Sequence, residues 1–151
     1  MTGIVEATLE ARRSGDYRAL IEAIPYSRFL GISAEHSEGQ LIGKLSFSEA
    51  LIGNPMLPAL HGGTIAALLE SPAIFQVMME AETLVLPKTI NITVAYLRSA
   101  RPVDTFAHGT ITKHGRRVAV VYAQAWQDDR LRPVATAHAH FLIKPVDSER
   151  F

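Results

Sequence analysis

The stretch Leu60-His61-Gly62-Gly63-Thr64-Ile65-Ala66-Ala67-Leu68-Leu69-Glu70 contains the features on which the interpretation of the whole chain depends. Two glycines open an almost wholly apolar run, and a single carboxylate, Glu70, lies inside it. Glycines at the start of a helix leave backbone N–H groups accessible, and a helix N-terminus favours developing negative charge. An ionised carboxylate in such a helix needs a partner, a wet cavity or a chemical role. The stretch therefore predicts an oxyanion-binding N–H group and a nucleophilic or acid/base carboxylate, a pair suited to acyl transfer.

The spacing of these two groups predicts that the site is shared between two chains. Gly62 and Glu70 are eight residues apart, which corresponds to about 12 Å along a helix axis. A carbonyl bound at Gly62 would not reach Glu70 of the same helix, but it could reach Glu70 of an antiparallel second helix. We therefore expect a homodimer with two shared sites.

Composition restricts the class of protein. The 151 residues are expected to form one globular domain after an N-terminal arm. Fifteen basic residues balance fifteen acidic ones, which gives no indication of a nucleic acid or membrane partner, and the absence of cysteine excludes disulfides and thiol nucleophiles. The N-terminus lacks the pattern of a secretory signal, and the longest apolar run, interrupted by Glu70 and Pro72, is expected to be too short to span a bilayer. These features predict a cytoplasmic protein.

The N-terminal half predicts a helical arm, a hairpin and one long helix. Residues 4–24 carry helix formers with a break at 14–16, and we expect Pro25 to end this arm. Residues 29–47 alternate weakly around a turn at Glu38-Gly39, and 51–60 is expected to be a structured loop. The central helix is predicted over 61–81, with a local kink near Pro72.

The C-terminal half predicts strands that wrap this helix. The expected strands are 89–98, 105–113, 118–127 and 134–143, with a hairpin turn at His114-Gly115. Alanines at every second position of the last two strands would allow a sheet to approach a buried helix closely. His138 and His140 lie on the opposite face, and we assign them to the surface or a subunit interface rather than to a metal. The predicted fold class is α+β, an antiparallel sheet around one long helix.

Several segments together make the chain resemble the hotdog-fold acyl-CoA thioesterases, particularly the phenylacetate-pathway (PaaI-like) and 4-hydroxybenzoyl-CoA thioesterase branch. The resemblance rests on Phe29-Leu30-Gly31-Ile32, Glu38-Gly39, Asn54, His61-Gly62-Gly63 with Glu70-Ser71, the segment 89–97 and Gly115-Arg116-Arg117. It covers residues 25 to 144, leaving an N-terminal helical arm over 1–24 and one domain over 25–151. It implies a curved antiparallel sheet around the helix and a homodimer, often assembled into a dimer of dimers.

The resemblance also implies roles for individual residues. Gly62 would donate its N–H to the thioester oxygen, with Gly63 beside it, and Glu70 would act as nucleophile or general base. We give His61 a positioning role, because no nucleophile-elbow pattern accompanies it. The family asparagine that helps to hold the carbonyl or water lies six residues before the histidine, whereas Asn54 lies seven before His61. The expected reaction needs no metal and no cofactor other than the coenzyme A of the substrate.

Further residues are candidates for substrate contact. The cations Lys113, Arg116 and Arg117 surround the hairpin tip at Gly115, where they could bind the phosphates of coenzyme A. Ser71 could contact substrate, or its hydroxyl could donate to the carbonyl one turn back. We also assign Thr89 and Asn91 to the substrate-binding group.

Two other functions remain open at this stage. One is a non-catalytic acyl-CoA binding or scaffold protein. The other is a hotdog-fold hydratase or dehydratase, which is less favoured because the segment 48–52 lacks the histidine that those enzymes need upstream of their loop.

Overall fold

The secondary structure comes from a computed structural model that describes residues 2–81 and 83–143. Its helices are α1 (Thr2–Ser14), α2 (Arg18–Ala23), α3 (Pro25–Leu30) and α4 (Gly62–Ala81). Its strands are β1 (Ile32–Ser37), β2 (Gln40–Leu45), β3 (Ile52–Asn54), β4 (Ala59–Leu60), β5 (Lys88–Tyr96), β6 (Thr105–His114), β7 (Val118–Trp126) and β8 (Ala135–Leu142). The expected end of the domain, residues 144–151, lies outside the described part of the chain.

The N-terminal arm follows the expected break but not the expected end. Gly15 has a φ of 73°, and the Asp16 carboxylate accepts the Arg18 N–H at 2.9 Å, so α1 stops and α2 starts here. Pro25 does not end the arm as expected: it is the first residue of α3, a position that suits proline because the first N–H of a helix has no intrahelical partner. The domain boundary after residue 24 stays a prediction.

The turn of the first hairpin lies where the sequence predicts it, but the first strand begins at Ile32 because Phe29 and Leu30 belong to α3. Strands β1 and β2 pair antiparallel, with Ser37 opposite Gln40. The two residues between them, Glu38 and Gly39, have φ values of 51° and 75°. Two successive positive φ values match the right-handed twist of the flanking strands, which is why glycine is favoured in such turns.

Six strands form one antiparallel sheet in the order β1-β2-β6-β7-β8-β5, and β3 and β4 form a separate short pair. Helix α4 packs against β2, β6, β7, β8 and β5, so the sheet encloses it. This confirms the α+β prediction of a sheet around one long helix. Strand β5 lies at one edge of the sheet and β1 at the other, next to α2 and α3.

Small residues let α4 lie close to the sheet. A Cβ atom at Gly43 of β2 would stand 3.2 Å from the Pro72 ring, and one at Gly109 of β6 would stand 3.0 Å from the Cα atom of Ala73. The alanines that the sequence places on one face of β7 and β8 are all buried in this contact: Ala119, Ala123, Ala125, Ala135, Ala137 and Ala139. Helix α4 is continuous through Pro72 to Ala81.

The expectation that the apolar run is too short to span a bilayer was wrong. Helix α4 has 20 residues and is long and apolar enough to cross a membrane by length and composition alone. Half of its most apolar 18-residue window is buried inside the protein, as in the core helix of a folded domain. Its apolar composition is therefore explained by its contact with the sheet.

Replacing Gly109 by alanine tests this close packing. The new Cβ would press on the backbone of α4 at Ala73, which cannot rotate away, and we expect an unfolding free energy lower by about 1–3 kcal/mol. Urea denaturation measures the change. Gly3→Ala in α1 is the control, because a Cβ there meets no atom within 4 Å and alanine favours a helix. Equal stability of Gly109→Ala and the wild type would contradict the packing described.

Candidate active site

The loop before α4 holds the start of this helix in a defined position. The His61 N–H donates to the Leu51 carbonyl at 2.8 Å, and β3 pairs with β4 immediately before it. A Cβ atom at Gly53 would stand 2.6 Å from the Cα atom of His61, so only glycine fits there. The structured loop expected over 51–60 is therefore the support on which the His61-Gly62-Gly63 sequence rests.

Hydrogen bonds engage the peptide groups on both sides of the Gly62 Cα atom. The His61 carbonyl accepts the Thr64 N–H at 3.0 Å and the Thr64 hydroxyl at 2.7 Å. The Gly63 N–H donates to Nδ1 of His61 at 2.8 Å, and the Gly62 carbonyl accepts the Tyr96 hydroxyl at 2.7 Å. Among the described residues, the Gly62 N–H has no acceptor. Gly62 is thus available as an anion donor, whereas the Gly63 N–H is already used.

Gly62 opens onto a cleft of about 390 Å³. Its lining residues are Ala59, Leu60, Gly62, Ile65, Tyr96, Leu97, Arg98, Ser99, Ala100, Val134 and Ala135. Most of the lining residues are apolar, and Arg98 and Ser99 add polar groups. A substrate carbonyl in this cleft would meet the N-terminus of α4, where the helix dipole adds to the effect of a free N–H.

Glu70 lies two turns further along α4, partly buried, and faces the edge strand β5. Its Oε1 accepts the Thr89 hydroxyl at 2.5 Å. Within the described residues Glu70 forms no ion pair. Thr89, which we expected among the substrate-binding residues, therefore holds the carboxylate in one orientation.

An irregularity in β5 explains why Thr89 points at the helix. Asn91 lies opposite His140, but Thr89 lies opposite Phe141, so Ile90 is an extra residue in this strand. In a regular strand, residues two apart share a face. The bulge instead places Thr89 on the helix side with Phe141, which is fully buried, and Asn91 on the outer side.

A second bulge, at Thr112 of β6, places Lys113 on that same outer side. Ile111 lies opposite Val121, which is fully buried, and Lys113 lies opposite Val120. Lys113, Val120, His140 and Asn91 therefore form one row across four strands. Nδ1 of His140 lies 2.8 Å from Oδ1 of Asn91.

The basic hairpin borders this row. Lys113, Gly115, Arg116, Arg117, Val118, Val120 and His140 line one cleft of about 630 Å³. Gly115 donates its N–H to the Val118 carbonyl at 2.9 Å, and a Cβ at Gly115 would stand 2.9 Å from that oxygen. The sequence predicts that these cations lie together at one hairpin. In the structure His140 also lines their cleft, and Asn91 contacts His140.

Two other candidate residues have local hydrogen bonds instead. The Ser71 hydroxyl donates to the Ala67 carbonyl one turn back, at 2.9 Å, which is the local alternative considered for it. Oδ1 of Asn54 accepts the Met56 N–H at 3.0 Å and so holds the turn between β3 and β4. A contact of either side chain with substrate stays a prediction.

Tyr96 and His140 contact the candidate residues Gly62 and Asn91, although neither is among the site residues that the sequence predicts. In the sequence, Tyr96 is distinguished only by its place at the end of an alternating strand. His140 shares a strand face with His138, and the sequence predicts a surface or interface position for both. The His138 ring lies 5.1 Å from Tyr122 on the outer face. Among the described residues, no group of three or more histidine, aspartate and glutamate side chains could hold a metal ion.

The chain belongs to the thioesterase superfamily, whose family model matches residues 57–134. The match includes α4 with Gly62 and Glu70, the strands β5 to β7 and the basic hairpin. The protein is therefore a thioesterase with a hotdog fold, which confirms the resemblance.

Individual proteins support the same assignment. The medium/long-chain acyl-CoA thioesterase YigI of Salmonella typhimurium is 27% identical over 135 residues, which cover 80% of this chain and 86% of that protein. A crystal structure of a Chromobacterium violaceum protein is 39% identical, with a TM-score of 0.74 over 94% of this chain and 99% of that one. A phenylacetic acid degradation-related protein of Ralstonia eutropha shares the fold, with 23% identity and a TM-score of 0.68 over 82% of this chain and 96% of that one.

The substitution His61→Ala tests the cap at the start of α4. It removes the acceptor of the Gly63 N–H, and we expect the unfolding free energy to fall by about 1 kcal/mol, as for other N-cap losses. Urea denaturation of this variant is compared with His114→Ala, which removes an exposed histidine from the hairpin and should change stability by less than about 0.5 kcal/mol. If both variants match the wild type, the His61 side chain does not cap the helix.

Proposed function

We propose that this protein is a cytoplasmic homodimeric thioesterase that hydrolyses an acyl-CoA to a free carboxylic acid and coenzyme A. The Gly62 N–H of one subunit binds the thioester oxygen, and Glu70 of the partner subunit is the nucleophile or the general base. The scheme uses no metal and no cofactor apart from the coenzyme A of the substrate. Two such dimers are expected to associate into a dimer of dimers, which analytical ultracentrifugation would detect.

The observation that carries the proposal is the state of the Gly62 N–H. Hydrogen bonds hold both adjacent peptide groups, while this N–H has no acceptor within the described residues and Gly62 lines the cleft. A donor fixed in advance costs no reorganisation when negative charge develops on the carbonyl oxygen. This is the requirement for stabilising a tetrahedral oxyanion.

The edge strand β5 supports a carboxylate supplied by the partner. In the described sheet β5 pairs only with β8, so the other edge of β5 has no partner strand. Two of its side chains, Ile90 and Tyr96, are more than half exposed. Two-fold pairing of β5 with its copy would be antiparallel and would extend the sheet. It would also bring the Thr89 end of one strand beside the Tyr96 end of the other, and so Glu70 of the partner subunit towards Gly62.

Either of two routes completes the reaction. In one, a Glu70 oxygen attacks the carbonyl carbon, the C–S bond breaks, coenzyme A leaves as thiolate, and water hydrolyses the resulting anhydride. In the other, Glu70 takes a proton from water as the water oxygen attacks the carbonyl carbon, and the C–S bond then breaks. The bond from Thr89 would orient Glu70 in both routes.

The outer cleft suits the phosphates of coenzyme A. Lys113, Arg116 and Arg117 supply positive charge around it, and His140, held near Asn91, supplies a further polar ring. Guanidinium groups match phosphate oxygens in charge and geometry. The cleft lies on the side of β5 away from Thr89, so the substrate would pass over the edge of the sheet to reach Glu70.

The substitution Glu70→Gln tests the reaction directly. Thiol release by the wild type is measured with short, long, branched and aryl acyl-CoAs, and the substrate hydrolysed fastest identifies the preferred acyl class. With that substrate, we expect kcat of the variant to be lower by at least about 100-fold. Glu80→Gln, an exposed carboxylate on the same helix, should retain full activity. Binding of coenzyme A without turnover by the wild type would contradict hydrolysis and leave an acyl-CoA binding protein.

Mixed dimers test whether the site is shared. Glu70→Gln and Gly62→Val subunits, each inactive alone, are refolded together. If Gly62 and Glu70 of each site come from different subunits, one intact site forms in each mixed dimer, and about a quarter of wild-type activity returns. Activity that stays at the level of the separate variants would contradict a shared site.

The double substitution Arg116→Gln/Arg117→Gln tests the proposed phosphate contacts. We expect KM for the acyl-CoA to rise about tenfold with unchanged kcat, because charge-assisted hydrogen bonds to the phosphates are lost. The matching acyl-pantetheine, which lacks the phosphates, should be hydrolysed equally by variant and wild type. Arg28→Gln in α3 is the control for a general loss of positive charge. An unchanged KM for the acyl-CoA would place the phosphates elsewhere.

A further inference from the structure

Tyr96 joins the edge strand of the sheet to the start of α4. It is the last residue of β5, and its hydroxyl donates to the Gly62 carbonyl at 2.7 Å. Its ring also covers Gly62: a Cβ atom on that glycine would stand 3.1 Å from the ring. This contact links residues 34 positions apart in the sequence, and it occurs beside the cleft.

The contact constrains the most adaptable part of the site. Two successive glycines accept a wide range of φ and ψ, so sterics alone do not determine the direction of the Gly62 N–H. The Gly62 N–H lies in the His61–Gly62 peptide plane, and the Gly62–Gly63 plane limits how far that plane can turn about the Gly62 Cα atom. Thr64 holds the first plane through the His61 carbonyl, and the second is held at its N–H by His61 and at its carbonyl by Tyr96.

We propose that Tyr96 is a positioning residue for the reaction, acting through the Gly62 carbonyl to aim the Gly62 N–H at the thioester oxygen. The inference rests on the proposed function of Gly62 and extends it to a residue on the subunit edge. Because β5 is also the strand expected to pair with the partner, formation of the dimer would fix Tyr96 and the oxyanion donor together. The hydroxyl does not itself touch the reacting carbonyl in this arrangement.

Tyr96→Phe tests the inference, since it removes the hydroxyl and keeps the ring. We expect kcat to fall about tenfold while KM changes less than about twofold, because a misdirected donor affects the transition state more than substrate binding. Tyr122→Phe is the matched control: its hydroxyl lies on the outer face, where it accepts a hydrogen bond from Gln124, and its loss should leave both constants unchanged. Thermal unfolding of both variants shows that the fold is intact.

A second measurement does not depend on activity. Hydrogen exchange of the Gly63 amide, which shares its peptide group with the Gly62 carbonyl, should be several-fold faster in Tyr96→Phe than in the wild type or Tyr122→Phe. Wild-type kcat in Tyr96→Phe, or an effect on KM alone, would overturn the positioning role. A wild-type protein without turnover would instead contradict the proposed function, and with it the catalytic part of the inference. Gly63 exchange would still decide whether the hydroxyl holds the peptide.

Discussion

The close contact between α4 and the sheet is the constraint on which the rest of the structure depends. Pro72 and Ala73 lie against Gly43 and Gly109, where the sheet presents backbone instead of side chains. Protein interiors transmit small displacements because they are packed as densely as crystals. Any shift of α4 along its axis would therefore move both groups of the proposed site, the Gly62 N–H at the start and Glu70 two turns later. The same contact that buries the helix sets the distances of the site.

Much of the fold could be predicted from the sequence because local chemistry and long-range packing agree there. Glu38-Gly39 favours a two-residue turn in any surroundings, and the turn is present. The alanines of β7 and β8 alternate on one face, which a sheet packed against a helix requires. For the site, the sequence predicts the Gly62 and Glu70 pair because few other arrangements place accessible N–H groups and a carboxylate in one apolar helix, and the catalytic roles of the pair stay a prediction. The resemblance to the thioesterases added the order of the elements around it.

What could not be predicted depends on contacts that leave no periodic signal. Their spacing in the sequence predicts that Thr89 and Asn91 share one face of a strand. Only the pairing with β8 shows that Ile90 is an extra residue between them. Tyr96 meets Gly62 because the sheet curves around the helix, which spacing along the chain does not show. Pro25 illustrates a local ambiguity: proline stops a preceding helix and starts a new one equally well, so α3 was missed.

The two bulges give strands β5 and β6 a property comparable to a reading frame. Each carries one inserted residue, and the side chains beyond it face the opposite side from the one that simple alternation would give them. Deleting Ile90 or Thr112 would restore regular alternation without moving any neighbour to the other face, because the residues on either side already oppose successive residues of the partner strand. Deleting any other interior residue of these strands would act as a frameshift in space: the residues on one side of the deletion would exchange core for solvent. Evolution can therefore change the length of these two strands most readily at the bulges, where one residue opposes none on the partner strand.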